Sequence, residues 1–188
     1  PRFVAGALGP GTKFATLGNI RYAELRDHYQ VASRGLLDGG VDIIAIETQF
    51  DLLGAKAAIN GARRAMAAAG REVPLQVQVT IELTGRMLPG TEIGAALAAL
   101  DAMRPDIIGI NCATGPAEMS EHLRYLCQHA RMPVSCLPNA GLPSVRGRFT
   151  LTGAAKHGQS RGAVKCTLIR CPQTMAKYVS ASRWEAAA

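Results

Sequence analysis

The sequence lacks any apolar run of the roughly 20 residues that a transmembrane helix needs. Its amino-terminal end also lacks the basic segment followed by an apolar one that marks a secretory signal. Aromatic residues make up only 5% of the 188 residues, whereas Ala and Gly are abundant. This composition is typical of an α/β enzyme rather than a β-sandwich. We therefore expect a cytoplasmic protein without a membrane partner.

The number and distribution of the cysteines argue against a disulfide framework. The five cysteines are odd in number and irregular in spacing, and they stand at positions 112, 127, 136, 166 and 171. Small secreted domains that depend on disulfides carry an even and denser set. The pattern therefore predicts a reducing compartment.

The net charge of +7 is confined to one end of the chain. Residues 1–143 contain 13 Lys or Arg and 13 Asp or Glu, whereas residues 144–188 contain eight basic residues and one acid, Glu185. A neutral body with a basic tail is not the basic face that nucleic-acid binding requires. We therefore expect no nucleic-acid partner, although a protein that binds nucleic acid through this tail remains an alternative.

Apolar segments alternate with segments of helical periodicity over residues 1–143, which predicts an α/β fold. The expected strands are residues 2–8, 41–46, 75–79, 106–110 and 133–137, and the expected helices are residues 22–38, 52–69, 91–103 and 118–130. The strands are continuous apolar runs, as in a parallel sheet that helices cover. Both a doubly wound sheet and a (β/α)₈ barrel fit. No dinucleotide fingerprint follows the first strand, because Gly6, Gly9 and Gly11 do not match its spacing.

Residues 144–188 form a second region of different character. They show no sustained periodicity until a short helical pattern near 174–184, and their composition suits translation of GC-rich DNA in another reading frame. We therefore treat residues 144–188 as a divergent basic tail.

Polar side chains follow four of the expected strands. Glu47, Thr80, Asn111 with Cys112, and Asn139 each come just after an apolar run. The carboxyl ends of the strands in a parallel barrel open onto one face, where active sites lie. The pattern therefore indicates a substrate site, although loops at strand ends are polar in any protein.

Four further segments are informative, and they are residues 2–10, 39–48, 109–116 and 138–143. In this order they resemble the homocysteine-binding domain of cobalamin-dependent methionine synthases, in the homocysteine S-methyltransferase family, and the resemblance covers residues 1–143. It implies a (β/α)₈ barrel of the TIM type, also found in betaine-homocysteine methyltransferase. By resemblance, the five strands are the third to the seventh of eight, so we expect a partial barrel truncated at both ends.

The resemblance also implies a chemistry. In that family zinc binds three cysteine thiolates and takes the homocysteine sulfur as its fourth ligand. Zinc deprotonates the thiol, which then attacks the methyl group of methylcobalamin on a separate module. Cys112 matches the first zinc cysteine, and Glu47 matches the carboxylate that receives the homocysteine ammonium. Asn111, which precedes Cys112, is expected in the substrate site, where it braces the loop by hydrogen bonding. Asn139 is either a weak oxygen ligand to zinc when substrate is absent or only a turn residue.

The chain departs from the family in one important respect. The second and third zinc cysteines of the family are adjacent, and no such pair occurs here. Cys166 and Cys171 are a possible replacement, but no strand or knuckle pattern frames them. We therefore expect the chain alone to be inactive.

Two interpretations remain for this polypeptide. It is either a fragment of a methyltransferase module or an inert barrel remnant. In the first case, the parent enzyme is expected to carry cobalamin and folate modules. A pterin-binding barrel enzyme is a further alternative, but its signature is missing. Cys127 and Cys136 are expected to be core residues, and no histidine lies in a motif.

Overall fold

The computed structural model describes residues 3–139 and 167–169, which form strands alternating with helices. In chain order the elements are β1 (Ala5–Leu8), α1 (Tyr22–Asp38), β2 (Ile43–Gln49), α2 (Leu52–Ala69), β3 (Leu75–Val79), α3 (Ile93–Asp101), β4 (Ile107–Asn111), α4 (Pro116–His129), β5 (Val134–Leu137) and β6 (Thr167–Ile169). No helix of the described residues is long and apolar enough to span a membrane.

The strand order decides between the two folds that the sequence allowed. The six strands lie in the sheet in the order β1-β2-β3-β4-β5-β6, and the first five are parallel to their neighbours. A doubly wound sheet reverses its strand order, whereas a barrel adds each strand beside the last. The prediction of five parallel strands from a (β/α)₈ barrel is therefore confirmed. The short β6, which pairs antiparallel with β5, was not predicted.

The two faces of the sheet differ in chemistry. On β1, Gly6 and Leu8 are buried and Ala5 and Ala7 are exposed, and a side chain at Gly6 would contact Leu36 of α1. The face of Gly6 is therefore the helix side, and its strand residues are mostly buried aliphatics such as Ile44, Ile46, Val77, Val79, Ile108, Ile110 and Val134. The opposite, inner face carries mainly small or polar residues, which the register identifies as Ala5, Ala7, Ala45, Gln76, Gln78, Gly109 and Ser135. It also carries the half-buried Ile43, Ile107 and Leu137 near the ends of the strands.

Curvature brings alternate strands together on the inner face. Gln78 of β3 donates a hydrogen bond to Ser135 of β5 at 3.1 Å, across β4. The intervening β4 residue is Gly109, where a Cβ atom would overlap Ser135. Alternate strands supply each layer of side chains inside a (β/α)₈ barrel, so this contact fits barrel curvature.

The first two helices pack closely, and their ends are well defined. A Cβ atom on Gly61 of α2 would lie 2.5 Å from the carbonyl oxygen of Arg26 in α1, so α2 approaches the α1 backbone through a glycine. Asp51 caps α2 by accepting a hydrogen bond from the Leu53 amide, and it also accepts one from the Thr16 hydroxyl in the β1–α1 loop. This carboxylate therefore ties the loop above β1 to the end of β2.

Most of the sequence-based elements agree with the structure. Helices α1 and α2 and strand β3 have the predicted bounds, while β2 continues three residues beyond the predicted end at Ile46. The short helix expected near 174–184 lies outside the described residues, as do Cys166 and Cys171.

Candidate functional site

The four residues singled out from the sequence lie at the carboxyl edge of the sheet. Glu47 lies near the carboxyl end of β2, and Asn111 is the last residue of β4. Cys112 follows Asn111, and Asn139 lies two residues after β5. Parallel strands present their carboxyl ends at one edge. The structure therefore places all four at the edge of the sheet where active sites lie in (β/α)₈ barrels.

The end of β2 is irregular. Its register with β3 shifts between Ile46 and Gln49, as in a β-bulge, and Thr48 within the bulge has a φ of 57°. A positive φ is unfavourable for a β-branched residue, and bulges occur often beside active sites, where they redirect side chains. Because of the bulge, the consecutive residues Glu47 and Thr48 both lie at the carboxyl edge of the sheet, one with a carboxylate and the other with a hydroxyl.

Asn111 joins the end of β2 to the end of β4. Its side-chain oxygen accepts a hydrogen bond from the Thr48 amide at 2.8 Å, and its Nδ2 donates to the Thr48 hydroxyl at 2.7 Å. Nδ2 also lies 3.2 Å from the Cys112 sulfur, as a donor to it. Thr80, at the end of the intervening β3, donates its hydroxyl to the Asn111 carbonyl oxygen at 3.0 Å. Three strand ends are therefore held in one network.

The Cys112 loop has a strained backbone and fixed partners. Cys112 and Ala113 have φ values of 58° and 57°. The Cys112 amide donates to Leu137 of β5 at 3.1 Å, and the Asn139 amide donates to the Thr114 carbonyl oxygen at 3.1 Å. The Cys112 thiol is half-buried and lies 3.6 Å from the Thr48 hydroxyl. The loop thus holds the thiol beside the ends of β2 and β4.

A buried network supports Glu47 from the side of β1. Gln49 donates to the Glu47 carbonyl oxygen at 3.2 Å and to the Tyr29 hydroxyl at 3.5 Å, and Tyr29 donates to the Gly9 carbonyl oxygen at 3.1 Å. Burial raises the pKa of the Tyr29 phenol, and its hydrogen bond with Gln49 opposes that shift. The half-buried Glu47 carboxylate has no hydrogen bond or ion pair within the described residues.

We tested whether the site fits a zinc ion. A structural zinc takes four nitrogen, sulfur or carboxylate ligands, and a catalytic zinc takes at least three from the protein. Residues 3–139 contain no group of three or more His, Cys, Asp or Glu that could hold a metal ion. The side-chain groups within 3.6 Å of the Cys112 sulfur are the Asn111 amide and the Thr48 hydroxyl, which hydrogen-bond to it. The described residues do not form a zinc site by themselves.

A cleft of about 360 Å³ opens beside the Cys112 loop. It lies between the β3–α3 loop and α4, and it is lined by Glu82, Leu83, Thr84, Gly85, Thr114, Glu118, Glu121 and His122. Neither Glu47 nor Cys112 borders it. The cleft is thus a neighbour of the candidate site and shares with it the segment that carries Thr114.

Sequence analysis noted Thr80 only as a polar residue at a strand end and did not single out Thr48, Gln49 or Tyr29. Thr48 is adjacent to Glu47 in the same family-like segment, and this was the one signal that could have indicated it. The contacts of Gln49 and Tyr29 join β2 to α1, and no local pattern reveals such a pair.

Comparisons with known proteins identify the family and the fold. The sequence model of the homocysteine S-methyltransferase family matches residues 1–179. Methionine synthase from Mycobacterium tuberculosis is 61% identical over 142 residues, and that from Mycobacterium leprae is 60% identical; each alignment covers 76% of this chain. The chain spans only 12% of the length of either relative.

A solved structure has the same fold. The apo form of the homocysteine methyltransferase MmuM from Escherichia coli superposes with a TM-score of 0.61 at 22% identity, over 74% of this chain and 49% of that one. The metallated form of the same enzyme gives a TM-score of 0.56 at 23% identity, with the same coverage. Identity this low supports the fold alone, but the match of the family model over nearly the whole chain shows more: this protein belongs to the homocysteine S-methyltransferase family.

Proposed function

We propose that the described residues are a homocysteine-binding part of a methyltransferase of the methionine synthase type. The observation that carries this proposal is the cluster of Glu47, Thr48, Asn111 and Cys112 at the carboxyl edge of β2 and β4. The relatives that are about 60% identical are methionine synthases, and this chain spans an eighth of their length, about the size of one part of a module. Modules that carry cobalamin and folate would lie elsewhere in such a protein.

Glu47 is the proposed partner of the substrate ammonium group. Its carboxylate is half-buried and has no partner within the described residues, so a bound ammonium would make a charge-assisted hydrogen bond there. Both side-chain atoms of Asn111 are already hydrogen-bonded to Thr48. We therefore assign Asn111 to bracing the site rather than to direct contact with substrate.

The metal part of the family chemistry is incomplete in the described residues. One thiol, with Asn139 as a possible weak oxygen ligand, falls short of the three protein ligands that hold zinc. Amide oxygen is also a poor zinc ligand beside thiolate. We propose that this chain alone holds no stoichiometric zinc and transfers no methyl group from methylcobalamin, so as an isolated polypeptide it is a catalytically inert remnant of the module.

Calorimetric titration with L-homocysteine tests the substrate proposal. We expect weak binding by the parent chain and a loss of about tenfold or more in Glu47→Gln, because a hydrogen bond to a charged group is worth about 1.5–3 kcal/mol. Glu82→Gln, in the neighbouring cleft, is the matched control and should bind as the parent does. Equal binding by all three proteins would contradict the role of Glu47.

Metal analysis after dialysis tests the statement on zinc. We expect far less than one zinc per chain at micromolar concentrations, because losing ligands from a thiolate site lowers affinity by orders of magnitude. Cys112→Ala, measured in parallel, should contain as little zinc per chain as the parent. One zinc per parent chain that disappears in Cys112→Ala would show that other groups complete the site, and the proposal of an inert chain would then be wrong.

A further inference from the structure

We infer that Thr48 is a positioning residue, whose hydroxyl holds the Cys112 side chain in place and links it to the neighbouring Glu47. The inference deepens the proposed function and rests on it for the roles of Glu47 and Cys112. The contacts that support it belong to Thr48 itself and are independent of any bound metal or substrate.

The Thr48 hydroxyl contacts the side chains of both Asn111 and Cys112. Asn111 Nδ2 donates to Thr48 Oγ1 at 2.7 Å, so one lone pair of the hydroxyl oxygen is used. A hydroxyl has one proton to donate, and the Cys112 sulfur lies 3.6 Å from the same oxygen. Either the Thr48 hydroxyl or the Cys112 thiol can be the donor in that contact, while the Asn111 amide donates to the same sulfur from a second direction at 3.2 Å. Two side chains therefore hold one sulfur atom.

The backbone supports the same assignment. Thr48 has a φ of 57°, where glycine or asparagine is much less strained than a β-branched residue. Such strain persists only where the surrounding structure holds it. Here the Thr48 amide is bound to the Asn111 side chain at 2.8 Å and the Thr48 hydroxyl to the same side chain. The strained residue is therefore held at both its backbone and its side chain, facing β4.

Thr48 is adjacent in sequence to Glu47, the proposed partner of the substrate ammonium group. Glu47 and Thr48 are consecutive residues in one bulge, so a single strand end carries both the Glu47 carboxylate and the contact to the Cys112 sulfur. A homocysteine that binds Glu47 through its ammonium would have to place its sulfur near Cys112. Thr48 thus links the two ends of the proposed substrate site.

The test compares how Cys112 reacts with a small and a bulky alkylating reagent in the full chain. Iodoacetamide and N-phenylmaleimide both react with the thiolate, so the ratio of their rates cancels the ionised fraction and reports access and order at the sulfur. Rates are read by mass spectrometry of the peptides. Cys127, half-buried in α4, lies in a separate tryptic peptide and is the internal reference. The variants are Thr48→Val, which keeps the shape without the hydroxyl, and Thr48→Ser, which keeps the hydroxyl.

We expect the parent Cys112 to prefer iodoacetamide more strongly than Cys127 does. Thr48→Val should reduce that preference by about fivefold, which corresponds to one hydrogen bond of about 1 kcal/mol. Thr48→Ser keeps the hydroxyl, so its preference for iodoacetamide should stay within about twofold of that of the parent, a smaller change than the loss of one hydrogen bond causes. If Thr48→Val fails to fold, Thr48→Ala replaces it with the same expectation, because alanine tolerates a positive φ better.

An unchanged preference in Thr48→Val, or an equal loss in Thr48→Ser, would overturn the inference. Neither reagent requires homocysteine or zinc, so this result is separate from the titrations that test the proposed function. A chain that fails to bind homocysteine but shows the expected alkylation pattern would contradict the function and leave the positioning role intact.

Discussion

Backbone strain in the described part of the chain is concentrated at the candidate site. Four non-glycine residues there have positive φ, and three of them are Thr48, Cys112 and Ala113 at the carboxyl edge of the sheet. Strained residues cluster where a fold must hold groups in a particular arrangement. The fourth, Arg104, follows α3 and has no contact with the site, so it offers a place to measure what this strain costs.

Arg104→Gly is expected to stabilise the protein by about 0.5–1 kcal/mol, because glycine adopts its φ of 50° without steric cost. The hydrogen bond from Arg63 goes to the Arg104 carbonyl oxygen and is kept in the variant. The matched control, Arg124→Gly in the exposed face of α4, should destabilise by about 0.5–1 kcal/mol. Denaturant midpoints of the two variants measure the difference, and shifts of the same sign would contradict the strain at Arg104.

The Tyr29 phenol is expected to ionise later than an ordinary phenol. Burial raises its pKa above the usual value of 10.0, so the folded state favours the neutral form. The stability that this neutral phenol contributes is complete below pH 10 and is lost as the pH rises through the higher pKa of the folded state. Ultraviolet titration of the parent against Tyr29→Phe should isolate a phenolate signal that appears late. A difference signal centred at or below pH 10 would contradict the burial of this side chain.

The sequence indicated where the site lies but not how it is braced. Glu47, Asn111 and Cys112 stand in segments with a family resemblance, so their positions at strand ends followed from local pattern. The pairing of Thr48 with Asn111 joins residues 63 positions apart, on strands separated by β3. It depends on a bulge and on curvature of the sheet, and neither has a signature in a single sequence.

Among the elements, the contact between α1 and α2 depends on one residue without a side chain. Gly61→Ala is expected to destabilise by about 1–3 kcal/mol, because its Cβ would lie 2.5 Å from the Arg26 carbonyl oxygen and 2.8 Å from the Gln30 amide nitrogen. Backbone atoms cannot move aside as a flexible side chain can.

The same substitution elsewhere in the helix pair supplies the control. Gly35→Ala in α1 meets nothing within 4 Å, so it should stabilise by about 0.5–1 kcal/mol through helix propensity alone. Thermal unfolding of both variants gives the comparison. Stabilisation by Gly61→Ala would show that the helices are further apart than described.

Elements with strong local signals were predicted well, and those shaped by their neighbours were not. Helix α2 begins at the cap Asp51 and ends at Gly70, whose φ is 61°, and both signals are visible in the sequence. The prediction ended β2 at Ile46 because polar residues follow. The strand continues to Gln49 because the Gln49 carbonyl oxygen still pairs with the Thr80 amide of β3.

For the whole molecule, the free edge of β1 is the exposed feature with the largest consequence. Within the described residues β1 pairs only with β2, and Phe3 and Val4 beside it are 63% and 60% exposed. Unpaired strands of this kind promote pairing with other chains. We expect the mass measured by sedimentation to rise with protein concentration.

Ala7→Pro tests the edge directly. Val4 directs its amide and carbonyl towards Asp42 beside β2, so by alternation Ala5 and Ala7 direct theirs to the free edge. Removing the Ala7 N–H should weaken the self-association without breaking a β1–β2 hydrogen bond. Leu17→Ser, at a residue that is 65% exposed in the β1–α1 loop, is the control and should leave it unchanged. Equal self-association in both variants would exclude this edge as the contact.

The strictly sequential strand order also bears on how the sheet is assembled. Register partners in successive strand pairs, from β1–β2 to β4–β5, are 38, 31, 31 and 26 positions apart. Each pairing therefore closes a loop of similar, moderate length, because each of these strands pairs with the strand that precedes it in the chain. As in a repeat protein, such a sheet can grow from either end one unit at a time. During synthesis on the ribosome, each new strand emerges when the strand it joins has already been made.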